Sequence, residues 1–182
     1  MEILDADNLR KHSVVEYANF GNRLLASLVD FLVTAVPIAG SFYFGFIQKN
    51  LILMLICTLI AALYKPIMEG LYGATFGKMA VGIKMVDSNN EQIDLVQSFT
   101  KNGLYLISSA IGVLSAFWMF GQDAFLEADG FMESSMAVQA NPYQMISSGW
   151  SLVVLISCFA LLASDKKQTL HDRIANTFCI KK

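Results

Sequence analysis

The chain has 182 residues, 55% of them apolar and only 15% charged, with a formal net charge of -2. That balance is too oily for a soluble domain of this length, and it offers no basic footprint for nucleic-acid phosphates. The three cysteines do not form a disulfide framework: Cys57 and Cys158 fall inside apolar runs and Cys179 lies in the tail with no spaced partner.

The charges are unevenly placed. Residues 24–48 contain one, Asp30, while 102–122 and 134–164 contain none. At about 1.5 Å per helical residue each run spans roughly 30 Å of hydrocarbon. Residues 1–19 form a polar leader and the first run is too long for a signal-peptide core, so it reads as a retained helix at about 20–46. Pro37 is a possible kink site within it. The second span is read over 50–72, its last turns carrying Lys65, Pro66 and Glu69 into the headgroups or into protein. The third is placed at 103–120 and the fourth at 143–163, after the turn signal Asn141-Pro142. The expected architecture is an all-α, four-transmembrane-helix bundle forming a single domain.

Four spans place both termini on one side. That side collects every one of the 13 basic residues except Lys49. By the positive-inside rule it is the cytoplasm, which makes the protein a multi-pass component of the cell (inner) membrane. The outer connection, 121–142, carries Asp123, Glu127, Asp129 and Glu133 and no basic residue. It reads as a solvated loop, or as an acidic collar that concentrates cations. The inner connection, 73–102, has a strand-like stretch at 80–86, turn formers at 87–90 and an amphipathic lead-in at 93–101 with Ile93, Val96 and Phe99 on its apolar side. The stretch 177–180 is a candidate pairing partner for the strand. The tail occupies 164–182.

The residues that cost energy to keep point to function. Asp30 lies seven residues beyond Arg23 on the same face of the first helix, with Arg23 near the inner edge. A carboxylate at that depth must face the bundle. It is either a proton or cation site or a hydrogen-bonding anchor, in the latter case with the Ser108, Ser109 or Ser115 hydroxyls as partners. Asp172, separated from the fourth span by eight residues, is the candidate acid for a bidentate pair with Arg23. Lys65 and Glu69, spaced i, i+4, are expected to neutralise each other, with Glu69 also a candidate to share a polar pocket with Asp30. Ser108, Gly112 and Ser115 form a small-residue stripe suited to close helix packing. Gly73-Ala74-Thr75-Phe76-Gly77-Lys78 lacks the spacing of a nucleotide-binding loop. His12 and His171 lack metal-ligand spacing, and no nucleophile sits in a catalytic motif, so no cofactor, metal or enzymatic activity is expected.

These residues together resemble the RDD family of small bacterial membrane proteins, named for one arginine and two aspartates. Arg23 looks like the family arginine, Asp30 like the aspartate within the first helix and Asp172, in Leu170-His171-Asp172, like the second aspartate. The Gly73–Lys78 stretch and Gly82-Ile83-Lys84-Met85-Val86-Asp87 are similar to the family's G-x-T-x-G-K and G-I-(K/R)-V-V-D motifs. Asn176 stands where the family often carries glycine. The resemblance implies a membrane protein with a suspected role in transport. The expectation is therefore proton-coupled movement of a small cation or solute with Asp30 as the exchanging acid, Arg23 and Asp172 as an inner gate, and a homo-oligomer in the bilayer. The competing expectation is a non-transporting scaffold or accessory subunit in which Arg23, Asp30 and Asp172 are structural.

Overall fold

The computed structural model describes residues 16–159 and 168–181. The readings made above for the leader to residue 15, for 160–167 at the end of the fourth span and the start of the tail, and for Lys182 lie outside the described residues. Helix α1, Phe20–Phe42, is capped by Asn19, whose side chain accepts a hydrogen bond from the Asn22 amide, and it runs on into a π-helical turn, Tyr43–Ile47. Pro37 lies inside it without ending it. Helix α2, Leu51–Tyr72, is capped in the same way by Asn50 and ends at Gly73, whose φ of 69° supplies the left-handed C-terminal conformation that glycine adopts without strain.

A short helix α3, Phe76–Val81, follows, then strand β1, Ile83–Val86, helix α4, Leu95–Lys101, and helix α5, Gly103–Phe120. Helices α6, Asp123–Glu127, and α7, Gly130–Ala137, occupy the next connection, and α8, Pro142–Phe159, returns. The chain ends in α9, Leu170–Ile174, and strand β2, Phe178–Lys181. Among the described residues three helices are long and apolar enough to cross a membrane, Phe20–Ile47, Leu51–Tyr72 and Gly103–Phe120. Their apolar side chains largely point outward: Val36 is 77% exposed and Ile52 70%. Such a surface requires a solvent of its own polarity, which lipid supplies.

The end of the bundle that carries Arg23 is closed by an antiparallel pair, β1 with β2, in the register Ile83↔Lys181 to Val86↔Phe178. Tyr17 bridges to Ile180 beside it. Ala18, Ala26, Ile83, Met85, Ile93 and Cys179 form the core beneath. The stretch expected to be a strand from residue 80 is helical as far as Val81, because Thr75 caps α3 and Gly82, at φ 72°, ends it. In the lead-in to α5, Ile93 is buried, whereas Val96 and Phe99 are exposed on α4, whose start is fixed by the reciprocal Asp94 and Gln97 capping bonds.

At the opposite end the 121–142 connection leaves Asp123, Glu127, Asp129 and Glu133 exposed, as a solvated loop would, but winds into two short helices. Lys49 reaches into it, donating to the Phe125 carbonyl at 2.7 Å and to the Ser134 hydroxyl, with its ammonium 3.7 Å from the centre of the buried Phe125 ring. One cation thereby gathers α6 and α7 around itself. Lys49→Met leaves a buried carbonyl and hydroxyl without their donor, an expected cost of about 1–3 kcal/mol. Thermal unfolding should register that loss, and limited proteolysis should cut within 121–142 in the variant first.

Candidate functional site

Asp30 is 3% exposed on α1. Its Oδ1 accepts hydrogen bonds from the Tyr64 hydroxyl and the Gly77 amide, both at 2.8 Å, and its Oδ2 accepts from the Thr75 hydroxyl at 2.7 Å. The Tyr64 hydroxyl itself accepts from the Phe76 amide at 3.1 Å. The expected serine partners are otherwise engaged: Ser108 and Ser109 donate to the Leu104 and Tyr105 carbonyls of their own helix, and Ser115 binds Asn141. They lie on α5, which does not reach this acid. The donors come instead from α2 and from the turn that opens α3.

That turn fits because residue 77 has no side chain. A Cβ there would lie 2.0 Å from the Ala26 carbonyl oxygen and 2.8 Å from the Asp30 carboxyl carbon. The Gly73–Lys78 motif is thus the stretch that folds its backbone onto the Asp30 carboxylate, and its last residue reaches a second acid.

Glu69, buried on α2, accepts from Lys78 Nζ at 2.5 Å through Oε1, and from Lys101 Nζ at 2.6 Å and Asn102 Nδ2 at 3.2 Å through Oε2. The expected Lys65–Glu69 pair does not form. Lys65 lies over the Tyr105 ring, 5.7 Å from its centre, while two lysines from outside the helix take the carboxylate. A buried acid held by two ammonium groups is better compensated than one held by a single neighbour in the weaker i, i+4 orientation.

Asp172 is fully buried at the start of α9, where it forms a capping box with Thr169. Its Oδ2 accepts from Arg23 Nη1 at 2.6 Å and from the Thr169 amide at 3.2 Å, and its Oδ1 lies 3.9 Å from Lys101 Nζ. The Arg23–Asp172 contact is therefore single, not bidentate. Lys101 links the two acids, so Arg23, Asp172, Lys101, Glu69 and Lys78 form one continuous ionic chain. Asn176 follows with φ 51°, the left-handed conformation that asparagine tolerates best after glycine.

A partly open cavity of about 470 Å³ lies among these groups. Arg23, Asp30, Lys65, Glu69 and Asp172 all line it, although no direct contact joins Asp30 to Glu69. His171, also on the wall, has its pKa pushed down to about 4, first by burial and then by the nearby Lys101, Lys78 and Arg23 charges, against the opposing pull of Asp172. Burial pushes Asp172 upward, but the Lys101 and Arg23 charges outweigh it and hold the carboxyl at about 2.

Sequence reasoning missed Tyr64, Thr75, Gly77, Lys78 and Lys101. The signal available for three of them is the Gly73–Lys78 motif itself, whose resemblance to the family pattern carries no role for its individual residues. Tyr64 and Lys101 carried none, because their roles depend on which helices meet.

Apolar helices with outward-facing side chains, and charges gathered at one end of the spans, fit an integral membrane protein. The model of the RDD family matches residues 17–176, and the chain belongs to that family. No curated protein and no solved structure matches it.

Two outcomes follow. Gly77→Ala must displace the Ala26 backbone or the Asp30 carboxylate, so a loss of more than about 3 kcal/mol is expected, measured as a lowered unfolding midpoint in detergent. His171 is neutral in the folded chain and takes a proton on unfolding. Stability should therefore be full above the ordinary histidine pKa of about 6.5 and fall as pH drops towards 4, by on the order of 2–3 kcal/mol. His171→Gln should flatten that slope in a pH series of thermal melts, and an unchanged slope would assign it to other groups.

Proposed function

We propose that this chain is a transport-related, multi-pass protein of the cell (inner) membrane, with four spans and both termini in the cytoplasm. Asp30 is its intramembrane acid, and the process is a proton-coupled movement of a small cation or solute. The observation that carries this reading is the cavity of about 470 Å³ that reaches Asp30, Glu69 and Asp172 among the ends of the spans. Charges serving only to lock helices are best served by close packing, without such a space between them.

A coupling step follows from the hydrogen bonds. The Asp30 carboxylate accepts three of them, two from the Thr75–Gly77 turn and one from Tyr64. A proton arriving from the cavity on Oδ2 gives that oxygen an O–H of its own to donate, so the Thr75 hydroxyl that donates to it must turn over or let go. The turn loosens, and because Lys78 on the same turn holds Glu69, the change is passed to the ionic chain. Arg23 with Asp172 then acts as the inner gate. The reading assigns no enzymatic role and no cofactor. Four helices leave little room for a pathway, which favours a homo-oligomer; Gly112, whose missing side chain would meet nothing within 4 Å, leaves the small face of α5 available for it.

The second reading, a non-transporting scaffold or accessory module, is favoured by a different observation: all three strong donors around Asp30 are already satisfied, as in a structural anchor. Proteoliposome flux separates the two. On the first reading the wild-type chain moves sodium, potassium or protons, and Asp30→Asn lowers the flux about a hundredfold. Tyr64→Phe, which keeps the acid, lowers stability by about 1–2 kcal/mol and retains flux. Absence of flux from any of these ions in the wild-type chain, with Asp30→Asn lowering only the unfolding midpoint, supports the module.

A further inference from the structure

Of the polar atoms buried at this end of the bundle, Arg23 Nε, Arg23 Nη2 and Asp172 Oδ1 have no hydrogen-bond partner among the described residues. The first two belong together. Asp172 takes only Nη1, and Nε with Nη2 form the other edge of the guanidinium, two parallel N–H donors spaced for the oxygens of a phosphate or carboxylate. Lys65 lines the same cavity and makes no ion pair among the described residues, only its contact with the Tyr105 ring. Around the cavity four cationic side chains, Arg23, Lys65, Lys78 and Lys101, face three carboxylates, Asp30, Glu69 and Asp172. One positive charge is left over.

We propose that the cavity is an oxyanion site that takes a phosphoryl group, held by the Nε and Nη2 edge of Arg23 with Lys65 as the second cation. Leaving two guanidinium donors without an acceptor in a low-dielectric setting is costly, and an arriving oxyanion removes that cost while neutralising the surplus charge. The approach is from the rim, where Phe20 and Leu24 are each 49% exposed and line the cavity beside Arg23. Apolar groups next to paired cations suit a lipid whose headgroup phosphate enters while its chains stay outside. A soluble phosphate compound offers the same oxyanion without the chains. The inference rests on the same cavity as the transport reading but not on movement through it, so binding without flux would leave this site standing while removing that reading.

The test uses the full chain in uncharged detergent. Binding is read by native mass spectrometry and by thermal shift with three probes: phosphatidylglycerol, an uncharged galactolipid of matched chains, and inorganic phosphate against chloride at equal ionic strength. Phosphatidylglycerol is expected to bind about tenfold more tightly than the galactolipid. Arg23→Lys keeps the charge opposite Asp172 and removes the fork; it and Lys65→Gln should each lower that preference by about tenfold, while Lys84→Gln on β1 leaves it unchanged. Should Arg23→Lys fail to fold, Lys65→Gln alone decides, since Lys65 makes no ion pair among the described residues and its ammonium lies 5.7 Å from the Tyr105 ring centre. Stabilisation by inorganic phosphate as well assigns the site to the free anion, and its absence with the lipid preference intact assigns it to a headgroup. Equal binding of the charged and uncharged lipids with no effect of phosphate, or a preference that survives Lys65→Gln in full, overturns the proposal.

Discussion

An ionisable carboxylate sits more than two turns into an apolar helix, and the arrangement of the surrounding elements depends on how that group is satisfied. In hydrocarbon an unsatisfied acid costs several kcal/mol. Asp30 avoids that cost with three hydrogen bonds, two of them from a turn that follows α2. For the turn to reach it, α2 must stop at Gly73, Thr75 must cap α3, and residue 77 must be bare of a side chain because the Ala26 carbonyl occupies the space. The Gly-x-Thr-x-Gly-Lys spacing is the sequence form of those three requirements, with its lysine placed to continue into Glu69.

The ionic chain extends the same logic outward. Glu69 is held by two ammonium groups and Asp172 by a guanidinium and a more distant ammonium, so each of these two acids has more than one counterion. Removing any single cation leaves a charge partly uncompensated rather than bare, whereas removing an acid strands the cation that pairs with it alone, Lys78 for Glu69 and Arg23 for Asp172. Effects of substitutions here will not add, because Lys101 is shared between the acids. The far end shows the contrast: there a single lysine bridges α6 and α7, and the rest of the hold is aromatic packing of Phe125 and Phe131 on Phe46.

The apolar runs were legible as helices because hydrocarbon imposes a length and forbids free charges, and both constraints are written directly in composition. The meeting of Arg23 with Asp172 was a candidate from charge alone and drew its strength from the family resemblance, since spacing alone does not bring a tail residue back to the first helix. Glu69 shows where local rules stop. A neighbour at i-4 was on hand in Lys65, but tertiary contacts brought Lys78 and Lys101 closer, and the i, i+4 preference of a few tenths of a kcal/mol cannot compete with two buried ion pairs. The strand that began late at Ile83 is a related miss. Its residues are mostly apolar and several are β-branched, as in a strand, yet a threonine cap and a glycine stop bound a helix that takes in its first part. Asn176 read as a departure from the family, and its φ of 51° shows that it meets the same backbone demand as glycine.

One consequence concerns what the basic residues are for. An excess of lysine and arginine on one side is ordinarily taken as a topology signal, a matter of which flanks resist translocation. Here Arg23, Lys78 and Lys101, three of the residues in that excess, are partners of buried acids in the folded chain. In the folded chain their charge is largely matched by Glu69 and Asp172. Lys65 differs, because it has neither an acidic partner among the described residues nor an exposed position, and lies with Arg23 on the wall of the cavity. A residue needed only for orientation would be as effective on the surface. Its place on the wall of the cavity that the open guanidinium edge also lines is what favours a binding role over a topological one.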